Sequence, residues 1–239
     1  VREALIHGKS QIREVWIAEG KKSSRTKEIL QIAKERGIPV LVKDNTALTR
    51  ILPDISHQGI AALVEEFTYV KLDHLATIHP QKQGLLVALD HITDEGNLGA
   101  IIRTAVFFGA HGLIIPKDRS AGISAKVLKR SSGAHVHLPI ARVVNMGRAL
   151  DLLKKRGFWI IGASGESQSA IYEFDWNREV VLVLGNEQRG LSRSVRKQCH
   201  QVVSIPVSGH AESLNVAVAG GVILAEIVRQ RNWVNLTTP

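Results

Sequence analysis

The sequence predicts an α/β protein: a C-terminal doubly wound parallel sheet preceded by a smaller N-terminal α/β unit. Three observations lead there. From Leu85 onward the apolar residues fall in unbroken runs, the pattern of strands covered on both faces. Helical stretches separate most of these runs, and β alternating with α builds a parallel sheet. Between Phe67 and Gly84 clear periodicity is lost around Pro80, which places a link there. The expected division is residues 1–66, a link over 67–83, and 84–239.

In the first unit, Glu14 to Ala18 reads as a strand. Thr26 to Arg36 spaces Ile29, Leu30, Ile32 and Ala33 as a helix, with Gly37 as its C′ residue. Pro39 to Val42 returns to strand, Ala47 to Leu52 to a short helix, and Ile60 to Val64 to strand. In the second part the strands are Leu85–Leu89, Gly112–Ile115, Phe158–Ile161, Val180–Leu184 and Val202–Ile205. The helices are 97–108, 123–132, 145–156, 192–200 and 214–231. In such sheets ligands sit beyond the carboxyl ends of the strands.

Composition narrows the class. The chain has 239 residues, a hydrophobic fraction of 44% and a net charge of +9, values that exclude a disordered chain. No stretch approaches the ~20 apolar residues that span a bilayer, and charge is mixed into Val1 to Lys9, so no membrane segment or export signal is expected. One cysteine, Cys199, excludes an intrachain disulfide, fits a cytoplasmic protein, and is expected inside a helix. The ten histidines show no zinc-type spacing, and His135 and His137 are expected on one side of a strand; no metal is expected. The basic excess points to an anionic partner. Residues 81–239 carry +7 of it, with Lys117, Arg119, Lys126, Lys129 and Arg130 in one stretch that is either a solvated face or a phosphate-binding one.

Three loops fall where ligands are expected. After the first strand of the large part, Asn97 fits a helix cap, and Arg103 needs either a phosphate or a structural carboxylate partner. After Leu184, the loop from Gly185 to Ser192 is either a plain turn or a close backbone approach to a ligand. Its pattern is neither GxGxxG nor GxxxxGK[ST]. After Ile205, Ser213 and Asn215 head an Ala/Gly-rich helix, as caps or as site residues.

In this order the segments NLGAIIRTA, LGNEQRGLS and IPVSGHAESLNVAVAGG resemble the three motifs of SpoU-type (TrmH-like) RNA ribose 2′-O-methyltransferases of the SPOUT superfamily. The start, with EALIHGK, EVWIAEG and HQGIAALV, is similar to that family's ribosomal-protein-like RNA-binding domain. The bacterial enzymes that methylate a guanosine of 23S ribosomal RNA match best.

The resemblance implies a C-terminal trefoil knot, which sequence rules alone vote against. It implies S-adenosyl-L-methionine (AdoMet) held by Gly185, Asn186, Ile205 and Leu214, with Ala163 and Gly165 lining the same pocket. Catalytic positions would be Arg103, Asn97, Glu187, Ser213 and Asn215. A homodimer would pack through the last helix, accounting for the small residues from Ala217 to Gly221. The basic run from Lys117 to Arg130, with Arg142 and Arg148 as auxiliaries, would hold the RNA backbone. Trp16, Phe67 and Tyr69 would be the few aromatics free to stack on bases. Members of the family that act on transfer RNA, and an assembly factor without catalysis, are the alternatives. The family's arginine has been proposed as the base; a guanidinium does not deprotonate in proteins, so Arg103 is expected to act electrostatically, with Glu187 or water taking the proton.

Overall fold

The computed structural model describes residues 1–7, 12–53, 55–77, 83–210 and 212–231. Of the positions read above, Gly8, Lys9, Pro80, Ala211 and those after Arg231 lie outside them.

Helix α1 (Arg2–His7) precedes β1 (Ile12–Ala18), α2 (Ser24–Glu35), β2 (Val40–Lys43), α3 (Asn45–Ile51) and β3 (Ile60–Val64). The strands form a sheet in the order β2-β1-β3, with β1 parallel to β2 and antiparallel to β3. Local chemistry sets the helix ends: the Ser23 hydroxyl accepts from Thr26 N at the start of α2, and Gly37 follows its end at φ +65°. Leu5, Val15, Ile17, Ile29 and Ala33 make a small core of their own.

The chain then runs through α4 (Leu72–Ala76), β4 (Leu85–Asp90), α5 (Glu95–Phe107), β5 (Gly112–Pro116) and α6 (Ala125–Arg130). A 3-10 turn (Ala134–His137), β6 (Ile140–Val143), α7 (Met146–Lys155), β7 (Trp159–Ala163) and β8 (Val180–Gly185) follow. The last elements are α8 (Arg193–Arg196), β9 (Gln201–Val203) and α9 (Val216–Gln230). All six strands are parallel, in the order β6-β5-β4-β8-β7-β9. Alternate residues of β4 and β8 enter two cores: Val87, Leu89, Leu182 and Leu184 face the α5 and α9 side, and Leu86, Ala88, Val181 and Val183 face the α7 side. No helix among the described residues is long and apolar enough to cross a membrane.

Several expectations change. Helix α5 begins at Glu95, capped by Asp94, whose carboxylate accepts from Asn97 N at 2.7 Å; Asn97 is not the cap. Strand β6 was not foreseen, because four residues that include Arg142 give too short a period. His135 and His137 lie in the 3-10 turn, entered through Gly133 at φ +92°, and not on a strand. Helix α8 is only four residues long, since His200 N already donates to Ile160 O of β7, so Cys199 lies past the helix, half-buried. Within the stretch expected as a link, Phe67 and Tyr69 stack edge to face, 5.1 Å apart, on the large core, and Leu75 of α4 is buried. Neither aromatic is free for a base.

The Ala/Gly-rich start of α9 makes close contacts within the chain. Gly220 lies on Leu184, and Gly221 faces Thr104 of α5.

Burial pushes the His135 imidazole down to about 4. The unfolded chain therefore takes up a proton that the folded one refuses, so this contribution to stability is complete above about pH 6.5 and is lost as pH falls toward 4. Urea denaturation between about pH 7 and 4 is expected to lose up to roughly 3 kcal/mol through this group. The same series on His135→Gln is expected to lose less.

Candidate active site

Asp90 and Gly185 end β4 and β8 as register partners, so the loops that follow leave the sheet side by side. The Asp90 side chain is fully buried; its carboxylate accepts from Ser192 N at 2.6 Å and meets His91 Nδ1 at 2.7 Å. A buried carboxylate is tolerated only when bonded in this way. The loop after β8 is closed by reciprocal backbone bonds between Asn186 and Gly190, of 3.0 and 2.9 Å. The Asn186 side chain is committed to this loop: its Oδ1 accepts from Gln188 N and Arg189 N, and its Nδ2 donates to His91 O at 2.9 Å. Gly185 is required here because a Cβ would lie 2.4 Å from the carbonyl carbon of Gly190.

The tight turn carries Glu187 outward. Asn97 Nδ2 donates to Glu187 Oε1 at 2.6 Å, and Asn97 Oδ1 accepts from Asn215 Nδ2 at 2.9 Å. Asn215 in turn caps α9, accepting from Ala217 N and Val218 N. One side-chain chain thus joins the three sequence motifs, and it forms because Asp94 leaves Asn97 free. Arg103 projects from α5 and is exposed; its Nη1 donates to Ser132 Oγ at 3.3 Å. Among the described residues it has no carboxylate partner, and its side chain bonds to Ser132 alone there, leaving most of its five N–H donors to solvent.

The remaining predicted positions lie near these strand ends. Ala163 closes β7, Ile205 is half-buried against the large core, Leu214 is 49% exposed, and Gly165 is open, with no atom within 4 Å of a Cβ placed on it. Ser213 is exposed and does not cap α9. Asp90, His91 and Ser192 were missed by sequence reasoning. The available signal was an aspartate that directly ends an apolar strand.

The basic run divides. Lys117 and Arg119 are exposed on the loop after β5. Lys126 lies 3.8 Å from Glu95, Arg130 runs along Gly96 and Gly99 of α5, and Lys129 Nζ donates to Ser56 O of the small unit. Arg142 stacks over Tyr69 and donates to Lys117 O, so it is not a free auxiliary; Arg148 is on α7, across the sheet from α5. A cleft of about 690 Å³ opens in the small unit between Lys21, Asn45, Thr49 and His57, with Ser56 on its rim. Burial pushes the Cys199 thiol up to about 11, which disfavours its thiolate.

Residues 84–225 match the SpoU rRNA Methylase family, and residues 1–70 match the RNA 2′-O ribose methyltransferase substrate binding family. The chain belongs to the SpoU methylase family. The "Uncharacterized tRNA/rRNA methyltransferase slr0955" of Synechocystis is 41% identical over 96% of this chain, which spans 61% of that relative's length. A Mycobacterium ulcerans protein described as an "Uncharacterized tRNA/rRNA methyltransferase" is 44% identical over 87% of this chain and 67% of its own. Among solved structures, the SpoU methyltransferase AviRb from Streptomyces viridochromogenes, in complex with AdoMet, superposes with a TM-score of 0.80 at 30% identity, covering 96% of this chain and 87% of its own. An AdoMet-bound rRNA methyltransferase from Sinorhizobium meliloti gives 0.79 at 27% identity, covering 96% and 85%.

In this SpoU family chain the loop that carries Glu187 has no room beneath it. Gly185→Ala is expected to push residues 186–190 off the strand end and to cost about 1–3 kcal/mol. Amide exchange would read it as faster exchange at Asn186 and Gly190, whose mutual bonds close the turn.

Proposed function

We propose that this chain transfers a methyl group from AdoMet to a ribose 2′-hydroxyl of RNA, with a guanosine of 23S ribosomal RNA as the substrate. The observation that carries this reading is the Glu187–Asn97–Asn215 chain at the strand ends, with the Arg103 guanidinium unpaired by any carboxylate among the described residues. A domain division into 1–66, a link over 67–83 and 84–239 goes with it.

The residues present fit AdoMet. Ile205, the exposed Leu214 and the exposed Val207 offer apolar surface, and the open backbone at Gly165 lets a ligand approach closely. Gly185, Ala163 and these residues would hold it, and Asn186 contributes by fixing the loop. AdoMet, when bound, supplies an activated methyl group; alignment and proton handling fall to the protein. Arg103 holds a phosphate or the developing alkoxide with its free N–H groups, because a guanidinium gives no proton away and takes none. The Glu187 carboxylate, oriented by Asn97, receives the ribose proton directly or through water. Asn215 keeps Asn97 in the orientation that donates to Glu187, and the exposed Ser213, two residues before it, is assigned to the RNA.

Lys117, Arg119, Lys126, Lys129 and Arg130 are assigned to the RNA backbone, with Lys129 at the cleft of the small unit. Phosphate contacts from these residues give affinity; choice of RNA rests with the small unit, through the shape of the folded RNA. That unit also favours ribosomal over transfer RNA. The working form is a cytoplasmic homodimer that packs through α9, and the last segment threads a trefoil knot. The parallel order β4-β8-β7-β9, with α9 returning to α5, supports the knot.

The test is transfer of radiolabelled methyl from AdoMet to ribosomal and transfer RNA of a strain lacking the enzyme, with mapping of the modified ribose. Transfer to 23S RNA is expected, reduced at least about 100-fold in Arg103→Ala with AdoMet affinity retained. Arg103→Lys is expected to fail as well, since an ammonium cannot present the guanidinium fork. Label in transfer RNA alone would overturn the choice of substrate. AdoMet binding without transfer to any RNA would leave a binding role.

A further inference from the structure

We propose that Glu3, His7 and His137 form a binding site for a transition-metal dication of the zinc type, which ties α1 to the large sheet domain. His7 and Glu3 are one turn apart on α1, and His137 comes from the 3-10 turn before β6. Glu3 Oε2 lies 3.4 Å from His7 Nε2 and 3.5 Å from His137 Nε2, and the three ligand atoms all fall within 4.8 Å of one another. These separations exceed the ~2.7–3.2 Å of an N–H···O bond. They match the edge of a tetrahedral zinc site, about 3.4 Å for metal–ligand bonds near 2.1 Å. The two imidazoles converge on one carboxylate oxygen at the spacing that a shared cation gives.

The surroundings agree. Arg2 Nη1 donates to the other oxygen, Glu3 Oε1, at 3.1 Å, and Arg2 Nε donates to Glu28, so the carboxylate is held with Oε2 turned to the histidines. The imidazole rings stand 4.3 Å apart at 70°, edge to face, so both reach the same carboxylate oxygen from neighbouring positions. The backbone provides the seat for α1: Gly133, at φ +92°, has room for Glu3 only because it has no side chain, since a Cβ there would lie 2.5 Å from Glu3 Cβ. Two imidazoles and one carboxylate select zinc, cobalt or nickel over magnesium or calcium, which prefer oxygen ligands. The three side chains are 32–44% exposed, leaving the fourth position to water. The ion would add a further tie between the units, beside the Glu3–Gly133 packing and the Lys129–Ser56 bond, apart from the methyl-transfer chemistry.

The experiment is titration of the whole chain, stripped with chelator, with Zn²⁺ by calorimetry, and with Co²⁺ followed by its visible absorption. One site per chain is expected, with tetrahedral cobalt bands. Affinity is expected to fall at least about tenfold in His7→Ala, in His137→Gln and, through the carboxylate, in Arg2→Ala. His74→Ala, an exposed histidine on α4, should bind as the unmutated chain does. Circular dichroism establishes that each variant is folded. Zinc binding that is absent, or equal in the unmutated chain and in folded His7→Ala and His137→Gln, would overturn the site. Methyl transfer is not the readout, so failure here leaves the proposed reaction untouched.

Discussion

The buried Asp90 carboxylate is the fixed point from which the strand-end site is built. A carboxylate removed from water costs several kcal/mol unless its lone pairs are met, and here they are met by Ser192 N and the His91 ring. Those two bonds hold the chain that leaves β4 against the chain that returns after β8. His91, at φ +62°, then offers its carbonyl to Asn186, and Asn186 shapes the turn that carries Glu187. Each step depends on the previous one, so the position of Glu187 is set by a residue that never reaches the surface.

The second constraint is the closeness of α5 and α9. Small residues at Gly220 and Gly221 let α9 sit on Leu184 and Thr104, which brings the Asn215 cap beside Asn97. One asparagine side chain caps the helix through its oxygen and orients Asn97 through its nitrogen. The stability of α9 and the geometry around Glu187 are therefore coupled. The small unit meets this body at Lys129, whose ammonium donates to Ser56 O on the wall of the small unit's cleft.

Much of the fold could be read from the sequence because buried parallel strands leave unbroken apolar runs, as at Leu85 and Val180. Strand β6 escaped because it is short and carries an exposed Arg142. The motif residues were found together, yet their relations were not: Asn97 looks like a cap until Asp94 takes that place. That the Asn186 side chain shapes its own loop is likewise not written in the motif. Arg103 had two readings, and only a folded structure can show that no carboxylate among the described residues reaches it. The meeting of His7 with His137 is invisible at the level of spacing, since the contact depends on how α1 docks.

The three residues joined through Asn97 have a consequence for the order of events in the cell. Glu187 and Asn215 stand 90 and 118 positions beyond Asn97, so no local segment contains the arrangement. During synthesis the sheet can begin to form from β4 and β5 while Glu187 and Asn215 are still inside the ribosome. The arrangement is completed only after α9 has emerged and docked. A nascent chain therefore passes through a stage in which β4, α5 and β5 can pack while Asn97 has neither of its partners, so the arrangement around Glu187 is among the later parts of this fold to form.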